Sequence, residues 1–175
     1  MKQYIIALLL LAFSLPGIAA NKHPYDYYRI GNPSDTSTAT QSGTVLMGGG
    51  TDVDAAFQWM CTLSGNGDFL VIRAAGTDAY NSYIQQLCPN GNSVATLIIP
   101  TIEAANHDSV ITIVSEAEAI WIAGGDQSDY VNYWKGTQLQ ETLNQRILQG
   151  VPIGGTSAGL DVLTQFIYSA LENKG

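Results

Sequence analysis

Short apolar runs alternate with amphipathic stretches along most of this sequence. Five runs of three to six residues lack the alternating polar residues that a strand exposed to solvent on one face would carry. A glycine or proline follows each run closely. The stretches between them carry apolar residues three and four positions apart, which predicts helices. The predicted strands are 44–47, 69–72, 94–99, 119–123 and 152–154, and the predicted helices are 51–63, 78–87, 106–115, 128–134, 137–148 and one after 157.

Strands that are apolar on both faces and alternate with helices are typical of a parallel sheet covered on both sides. The predicted fold class is therefore α/β, with a mostly parallel sheet and helices on both faces. Ligands bind beyond the carboxyl ends of the strands in such folds. Glycine clusters mark three of the five strand ends, at 48–50, 124–125 and 154–155. We expect these three segments to meet at one site.

The first twenty residues have the pattern of a signal peptide. Lys2 precedes an apolar run over 4–15, and two alanines follow at 19–20, as at a signal-peptidase site. The run is too short for a membrane span, which needs about 20 apolar residues. We therefore expect residues 1–20 to be removed on export to the periplasm or the medium, with no membrane partner for the mature form.

The remaining sequence divides into a lead-in and a domain. Residues 21–42 are polar and rich in turn residues, which predicts a loop or lead-in. Its tyrosines either pin it to the domain or form a short edge strand. Residues 43–175 are predicted to form one α/β domain without a further boundary.

The charge of the sequence argues against nucleic acid as a partner. Seven basic and fifteen acidic residues give a formal net charge of −8, and a nucleic-acid-binding protein would need a basic stripe. The two cysteines, Cys61 and Cys88, either form a disulfide, as an oxidising compartment allows, or are two buried or free thiols. No His or Cys lies at ligand spacing from them, so we expect no metal, and nothing in the motifs calls for another cofactor.

The segment 152–159 contains the pattern Gly-x-Ser-x-Gly, centred on Ser157. This is the pattern of a nucleophile elbow, a tight strand-to-helix turn that presents a serine hydroxyl at the edge of a sheet. The N–H of Ala158, at the start of the following helix, can point at an oxyanion, and a second donor can come from segment 124–127. The alternative interpretation is an ordinary glycine-rich turn.

A serine nucleophile needs a general base, and the sequence has two histidines. His23 lies in the lead-in, and His107, at the start of a predicted helix, is interpreted as a cap or a surface residue. Nothing after Ser157 can serve as the base. Asp52 and Asp54 follow the first glycine cluster and are expected to serve the helix start, with Thr51 or Asp52 as its cap, or to line the mouth of the site.

Three motifs together resemble those of one family. They are Gly-Gly-Gly-Thr-Asp-Val-Asp-Ala-Ala-Phe at 48–57, Ala-Gly-Gly-Asp-Gln at 123–127 and Gly-Gly-Thr-Ser-Ala-Gly at 154–159. They resemble the S51-type cyanophycinase and dipeptidase E group of serine peptidases, over about residues 43–170. The resemblance implies a fold like that of class I glutamine amidotransferases, which is flavodoxin-like.

The resemblance also implies roles for residues of this site. Ser157 would be the nucleophile, Gly125 and Ala158 would lie near the oxyanion, and Asp126 and Gln127 would contact the substrate. The activities of the group imply hydrolysis of a peptide or isopeptide bond in a small peptide-like substrate. An Asp-containing bond is the first candidate.

The end of the sequence departs from the pattern of the resembled family. That family has its catalytic His and acidic partner downstream of the serine, whereas this sequence ends about eighteen residues after Ser157. The resemblance therefore predicts that the C-terminal part of the fold is missing, that a sheet edge is exposed, and that this chain alone has little or no peptidase activity. A non-catalytic remnant or binding module on the same fold is the main alternative. An unrelated α/β-hydrolase esterase is disfavoured by the motif at 123–127.

Overall fold

The computed structural model describes residues 23–173, which form one six-stranded sheet with helices on both faces. The strand order is β1-β4-β3-β5-β6-β2, and only β1, which pairs with β4, is antiparallel to its neighbour. The mostly parallel α/β fold predicted from the sequence is confirmed. The strands are β1 (Asp26–Gly31), β2 (Thr44–Met47), β3 (Asp68–Arg73), β4 (Ser93–Ile98), β5 (Ala119–Ile122) and β6 (Ile153–Thr156).

The helices of the described residues lie in the connections and after the last strand. They are α1 (Asp54–Leu63), α2 (Tyr80–Leu87), α3 (Ile102–Ala105), α4 (Asp108–Glu116), α5 (Gln127–Trp134), α6 (Gln138–Leu148) and α7 (Ala158–Asp161), followed by a 3₁₀ turn at Leu171–Asn173. The helix predicted over 106–115 is present as α4, two residues later at its start and one at its end, whereas the short helix α3 before it was not predicted. Thr101 caps α3 by accepting the N–H of Ala104, and His107 caps α4.

Each face of the sheet carries its own hydrophobic core. Ile120 and Ile122 of β5 point into one core together with Trp134, whereas Trp121 points into the other and contacts Phe57 of α1. All four residues of β5 are buried. This explains why the central strands read as unbroken apolar runs rather than as alternating patterns.

The lead-in contributes the antiparallel edge strand β1 and is fastened to the sheet by one carboxylate. Asp68, at the start of β3, accepts hydrogen bonds from Arg29 (2.9 Å), Asn92 (2.8 Å), the hydroxyl of Ser93 and the backbone N–H of Thr36 (3.3 Å). Hydrogen bonds to a carboxylate are stronger than those between neutral groups. Asp68 therefore ties three separate segments together at the amino edge of the sheet.

A disulfide joins the two helices that cover one face. Cys61 of α1 and Cys88, just after α2, are bonded, with their Cα atoms 6.0 Å apart and 27 positions apart in sequence. Both are buried in the core that contains Trp121. Within residues 23–173, no helix is long and apolar enough to cross a bilayer.

Candidate active site

Ser157 occupies a strained turn between β6 and α7. Its backbone has φ 53° and ψ −123°, a conformation that costs a non-glycine residue about 1–3 kcal/mol. Its N–H donates to the carbonyl oxygen of Met47 (3.1 Å), which holds the turn against β2. The residues on either side are buried, while Ser157 itself is exposed at the carboxyl edge of the sheet. This is the geometry of a nucleophile elbow.

The elbow depends on glycines that let α7 pass very close to the sheet. A Cβ on Gly159 would lie 2.0 Å from the carbonyl oxygen of Ile122, and a Cβ on Gly155 would lie 2.4 Å from the carbonyl oxygen of Gly159. Both neighbours are backbone atoms, which cannot move aside. The outer glycines of the Gly-x-Ser-x-Gly pattern are therefore required by packing.

The other two glycine clusters flank the serine, as their positions in the sequence suggested. A Cβ on Gly49 would lie 3.0 Å from Ser157 Oγ, and a Cβ on Gly124 would lie 3.4 Å from Ser157 Cβ. The strands that these clusters follow, β2 and β5, are the two neighbours of β6. The absence of side chains at Gly49 and Gly124 leaves the hydroxyl accessible from both sides.

Tyr130 fixes the segment that follows β5. Its hydroxyl donates to the carbonyl oxygen of Ala123 (2.7 Å) and lies 3.3 Å from that of Gly124. Burial raises the pKa of Tyr130 to about 12, so the donor proton stays in place at neutral pH. Sequence reasoning did not select Tyr130. Its one signal was an aromatic residue one helical turn after Gln127, on the same helix as the buried Trp134.

The residues predicted to surround the oxyanion and the substrate lie on the two segments that meet at Ser157. Ala158 begins α7, and its N–H is one of those that a helix start leaves without an intrahelical partner. A Cβ on Gly125 would lie 3.0 Å from the Tyr130 hydroxyl, which places Gly125 against Tyr130. The neighbouring Gly124 is the glycine that lies against Ser157. Asp126 caps α5 by accepting the N–H of Ser128 (2.8 Å), and the half-buried Gln127 is the first residue of that helix.

The two acids after the first glycine cluster bind tyrosines rather than capping α1. The Tyr80 hydroxyl donates to Asp52 (2.7 Å), and the Tyr83 hydroxyl donates to Asp54 (2.6 Å). Burial and then the hydrogen-bonded carboxylate raise the pKa of Tyr80 to about 12, and the same causes raise the pKa of Tyr83. The N-cap of α1 is Val53, which makes no side-chain hydrogen bond, so the predicted cap at Thr51 or Asp52 was wrong.

The two histidines lie together at the start of α4. His107 Nδ1 accepts the N–H of Ser109 (3.2 Å), as expected of a cap. The His23 and His107 ring centroids are 6.4 Å apart, and Tyr25 contacts both rings, at 5.4 Å and 5.3 Å. Within residues 23–173, no three His, Cys, Asp or Glu side chains are arranged to hold a metal ion.

Comparisons with known proteins identify the family of this chain. The crystal structure of a peptidase from an acI-B1 Actinobacterium is similar in fold, with a TM-score of 0.58 and 18% sequence identity. The match covers 74% of this chain and 59% of that chain, so this chain spans less than two thirds of the length of that peptidase. No curated protein matches the sequence. The model of peptidase family S51 matches residues 45–171, and the chain belongs to that family.

Proposed function

We propose that this chain is a secreted S51 peptidase whose Ser157 attacks a peptide or isopeptide bond of a small peptide-like substrate. The observation that carries the proposal is the strained backbone of Ser157. A glycine would adopt φ 53° without strain, so an ordinary turn gains nothing from a serine there. An exposed hydroxyl held in that turn between Gly49 and Gly124 is what a nucleophile requires.

The surrounding groups suit acyl transfer. Ser157 Oγ bonds to the substrate carbonyl carbon, and the carbonyl oxygen becomes an oxyanion. The C–N bond then breaks, the amine leaves with the serine proton, and water releases the acyl group from Ser157. The N–H of Ala158 is the first oxyanion donor, and the segment at Gly124 and Gly125, fixed by Tyr130, supplies the second. Gln127 has an amide that can donate to and accept from a peptide group.

A serine-directed fluorophosphonate probe tests the nucleophile. We expect the folded, exported chain to be labelled and the Ser157→Ala variant not to be. Ser82→Ala, which removes an exposed hydroxyl from α2, is the matched control and should label like the parent chain. Gly49→Ala should slow labelling at least tenfold because its Cβ would lie 3.0 Å from Oγ, whereas Gly50→Ala, with nothing within 4 Å, should not.

A non-catalytic module on the same fold is the second candidate. It is favoured by the position of both histidines at the start of α4, after β4, because β3 and β5 separate β4 from β6 and Ser157 follows β6. Absence of labelling in a folded parent chain would support this candidate and reject catalysis by this chain. If the chain is labelled, hydrolysis of Asp-Leu against Asn-Leu tests the substrate, and equal rates would reject only the preference for an Asp-containing bond.

A further inference from the structure

Arg73 is the last residue of β3, at the edge of the sheet that carries Ser157. Ile72 pairs with Ile122 of β5, which pairs with Gly155 of β6, so these three residues are level across three adjacent strands. Arg73 lies one position beyond that level, and Ser157 lies two positions beyond it. Neighbouring strands are about 4.8 Å apart, so the backbones of Arg73 and Ser157 are about 10 Å apart across the sheet. A small peptide on Ser157 and the long Arg73 side chain can together span that separation.

The loop after β3 holds the Arg73 guanidinium in one orientation. Nε donates to the carbonyl oxygen of Ala75 (2.6 Å), and Nη1 donates to that of Thr77 (3.1 Å). Gly76 lies against the guanidinium, because a Cβ there would be 2.4 Å from Cζ and 2.5 Å from Nη2. Within residues 23–173, Nη2 donates no hydrogen bond. A planar guanidinium that is oriented in advance and keeps donors free is suited to a carboxylate.

No carboxylate in the described part of the chain forms an ion pair with Arg73. The two acids that follow the first glycine cluster bind other partners, since Asp52 accepts the Tyr80 hydroxyl and Asp54 accepts the Tyr83 hydroxyl. The sequence as a whole has fifteen acidic and only seven basic residues. A cation that lacks an acidic partner in so acidic a chain is therefore available to an anionic ligand.

The charge of Arg73 acts on both segments that flank Ser157. Burial raises the pKa values of Tyr80 and Tyr130, and the positive charge of Arg73 opposes the rise in each. Tyr80 is hydrogen-bonded to the segment after β2, and Tyr130 is hydrogen-bonded to the segment after β5. The guanidinium is therefore close enough to both segments to attract an anionic group that lies between them.

We propose that Arg73 binds a carboxylate of the peptide-like substrate, either its C-terminal carboxylate or an aspartyl side chain. The proposal rests on the proposed function for a peptide as the ligand, but it does not require catalysis, since binding involves no covalent step. The carboxylate accepts from Nη2 and from the remaining N–H of Nη1 in a bidentate hydrogen bond. Arg73 thereby selects peptides with a carboxylate at a fixed distance from the bond that Ser157 attacks.

The experiment uses the Ser157→Ala chain, so that no peptide is cleaved during calorimetric titration. The probes are Asp-Leu, Asn-Leu and the C-terminal amide of each. We expect Asp-Leu to bind, and the further change Arg73→Gln to weaken its binding by about tenfold or more. Asn-Leu amide has no carboxylate and should bind both chains alike. Loss of the Arg73 effect with Asn-Leu assigns the aspartyl side chain, and its loss with Asp-Leu amide assigns the C-terminal carboxylate.

The dependence on the carboxylate separates ligand binding from a structural role of Arg73. If Arg73 only fixed the loop after β3, Arg73→Gln would weaken the binding of all the probes equally, and that result would overturn the proposal. Equal affinities of the two chains for Asp-Leu, or no binding of Asp-Leu by the Ser157→Ala chain, would also overturn it. Lys135→Gln, which removes a positive charge beyond the other end of α5, is the matched control and should leave every affinity within about threefold.

Arg73→Lys keeps the test decisive if Arg73→Gln does not fold, which its thermal midpoint will show. The lysine keeps the charge but not the planar pair of donors, so Asp-Leu should bind about threefold more weakly or worse, and Asn-Leu amide should bind as before. An unchanged affinity for Asp-Leu would contradict the bidentate contact. Absence of fluorophosphonate labelling in the parent chain would reject catalysis without altering these titrations, so the two failures are distinguishable.

Discussion

At the scale of single residues, the candidate site is made by the absence of side chains around one hydroxyl. Gly49 and Gly124 leave the space beside Ser157 open, and Gly155 and Gly159 let α7 approach the sheet. The two pairs differ in what a methyl group would meet. A methyl group on Gly49 or Gly124 would meet the side chain of Ser157. A methyl group on Gly155 or Gly159 would meet backbone atoms, which cannot rotate away as a side chain can.

This difference predicts the effect of alanine at Gly159. The new Cβ would lie 2.0 Å from the carbonyl oxygen of Ile122, so α7 must move away from the sheet. Overpacking of this kind costs about 3 kcal/mol or more in the free energy of unfolding. Gly48→Ala is the matched control, with nothing within 4 Å, and should change stability by less than about 0.5 kcal/mol. Equal urea midpoints for the two variants would contradict the close packing of α7.

At the scale of elements, α1 and α2 are fastened to each other at both ends. The disulfide between Cys61 and Cys88 joins their C-terminal ends, and the hydrogen bonds from Tyr80 to Asp52 and from Tyr83 to Asp54 join their N-terminal ends. α1 begins four residues after Gly50, the last residue of the glycine cluster that flanks Ser157. The connection between the two helices therefore also holds one wall of the site.

Reduction of the disulfide should destabilise the fold. A crosslink that closes a loop of 27 positions is worth about 3–4 kcal/mol in the chain-entropy description. We expect a lower thermal midpoint in reductant for the parent chain. The Cys61→Ala/Cys88→Ala double variant should begin at a lower midpoint and show no response to reductant. A parent midpoint that reductant leaves unchanged would mean that the bond does not contribute to stability.

At the scale of the whole molecule, the two edges of the sheet carry different kinds of polar groups. The carboxyl edge carries Ser157, and the amino edge carries a buried charged cluster around Asp68. Glu118 belongs to that cluster, is 5% exposed, and accepts the backbone N–H of Asp68 (2.8 Å). Burial raises the pKa of Glu118 to about 7, with Asp68 and Asp35 adding to the rise, and the Asp68 N–H and Arg146 opposing it.

The raised pKa of Glu118 predicts a loss of stability as the pH increases. The folded chain holds this proton more tightly than the unfolded chain, whose carboxyl titrates near 4.5, so the contribution of Glu118 declines between about pH 4.5 and pH 7. Glu118→Gln keeps the acceptor for the Asp68 N–H but cannot ionise. Relative to this variant, the parent chain should lose about 2 kcal/mol of unfolding free energy between pH 5 and pH 8. Parallel pH profiles in urea titrations would contradict this role.

By itself, the sequence was sufficient for the features that depend on near neighbours along the chain. The alternation of apolar runs and amphipathic stretches predicted five of the strands and the mostly parallel sheet, because strand and helix periodicity are local properties. The small residues around Ser157 predicted the elbow, since a tight turn restricts the residues on either side of it. Even so, the predicted last strand, 152–154, was too short. Gly155 and Thr156 also pair in the sheet, and their place in β6 depends on neighbouring strands.

Only the tertiary structure decided which distant groups meet. β1 is half exposed, and its partner strand β4 lies more than 60 positions away in the sequence. The residue pattern of β1 therefore did not distinguish a strand from a loop. The pairing of Cys61 with Cys88, which the sequence left open, and the hydrogen bond from Tyr80 to Asp52 both follow from how α1 and α2 pack. These contacts depend on strand order and helix placement, which arise from burial of the whole core rather than from any local pattern.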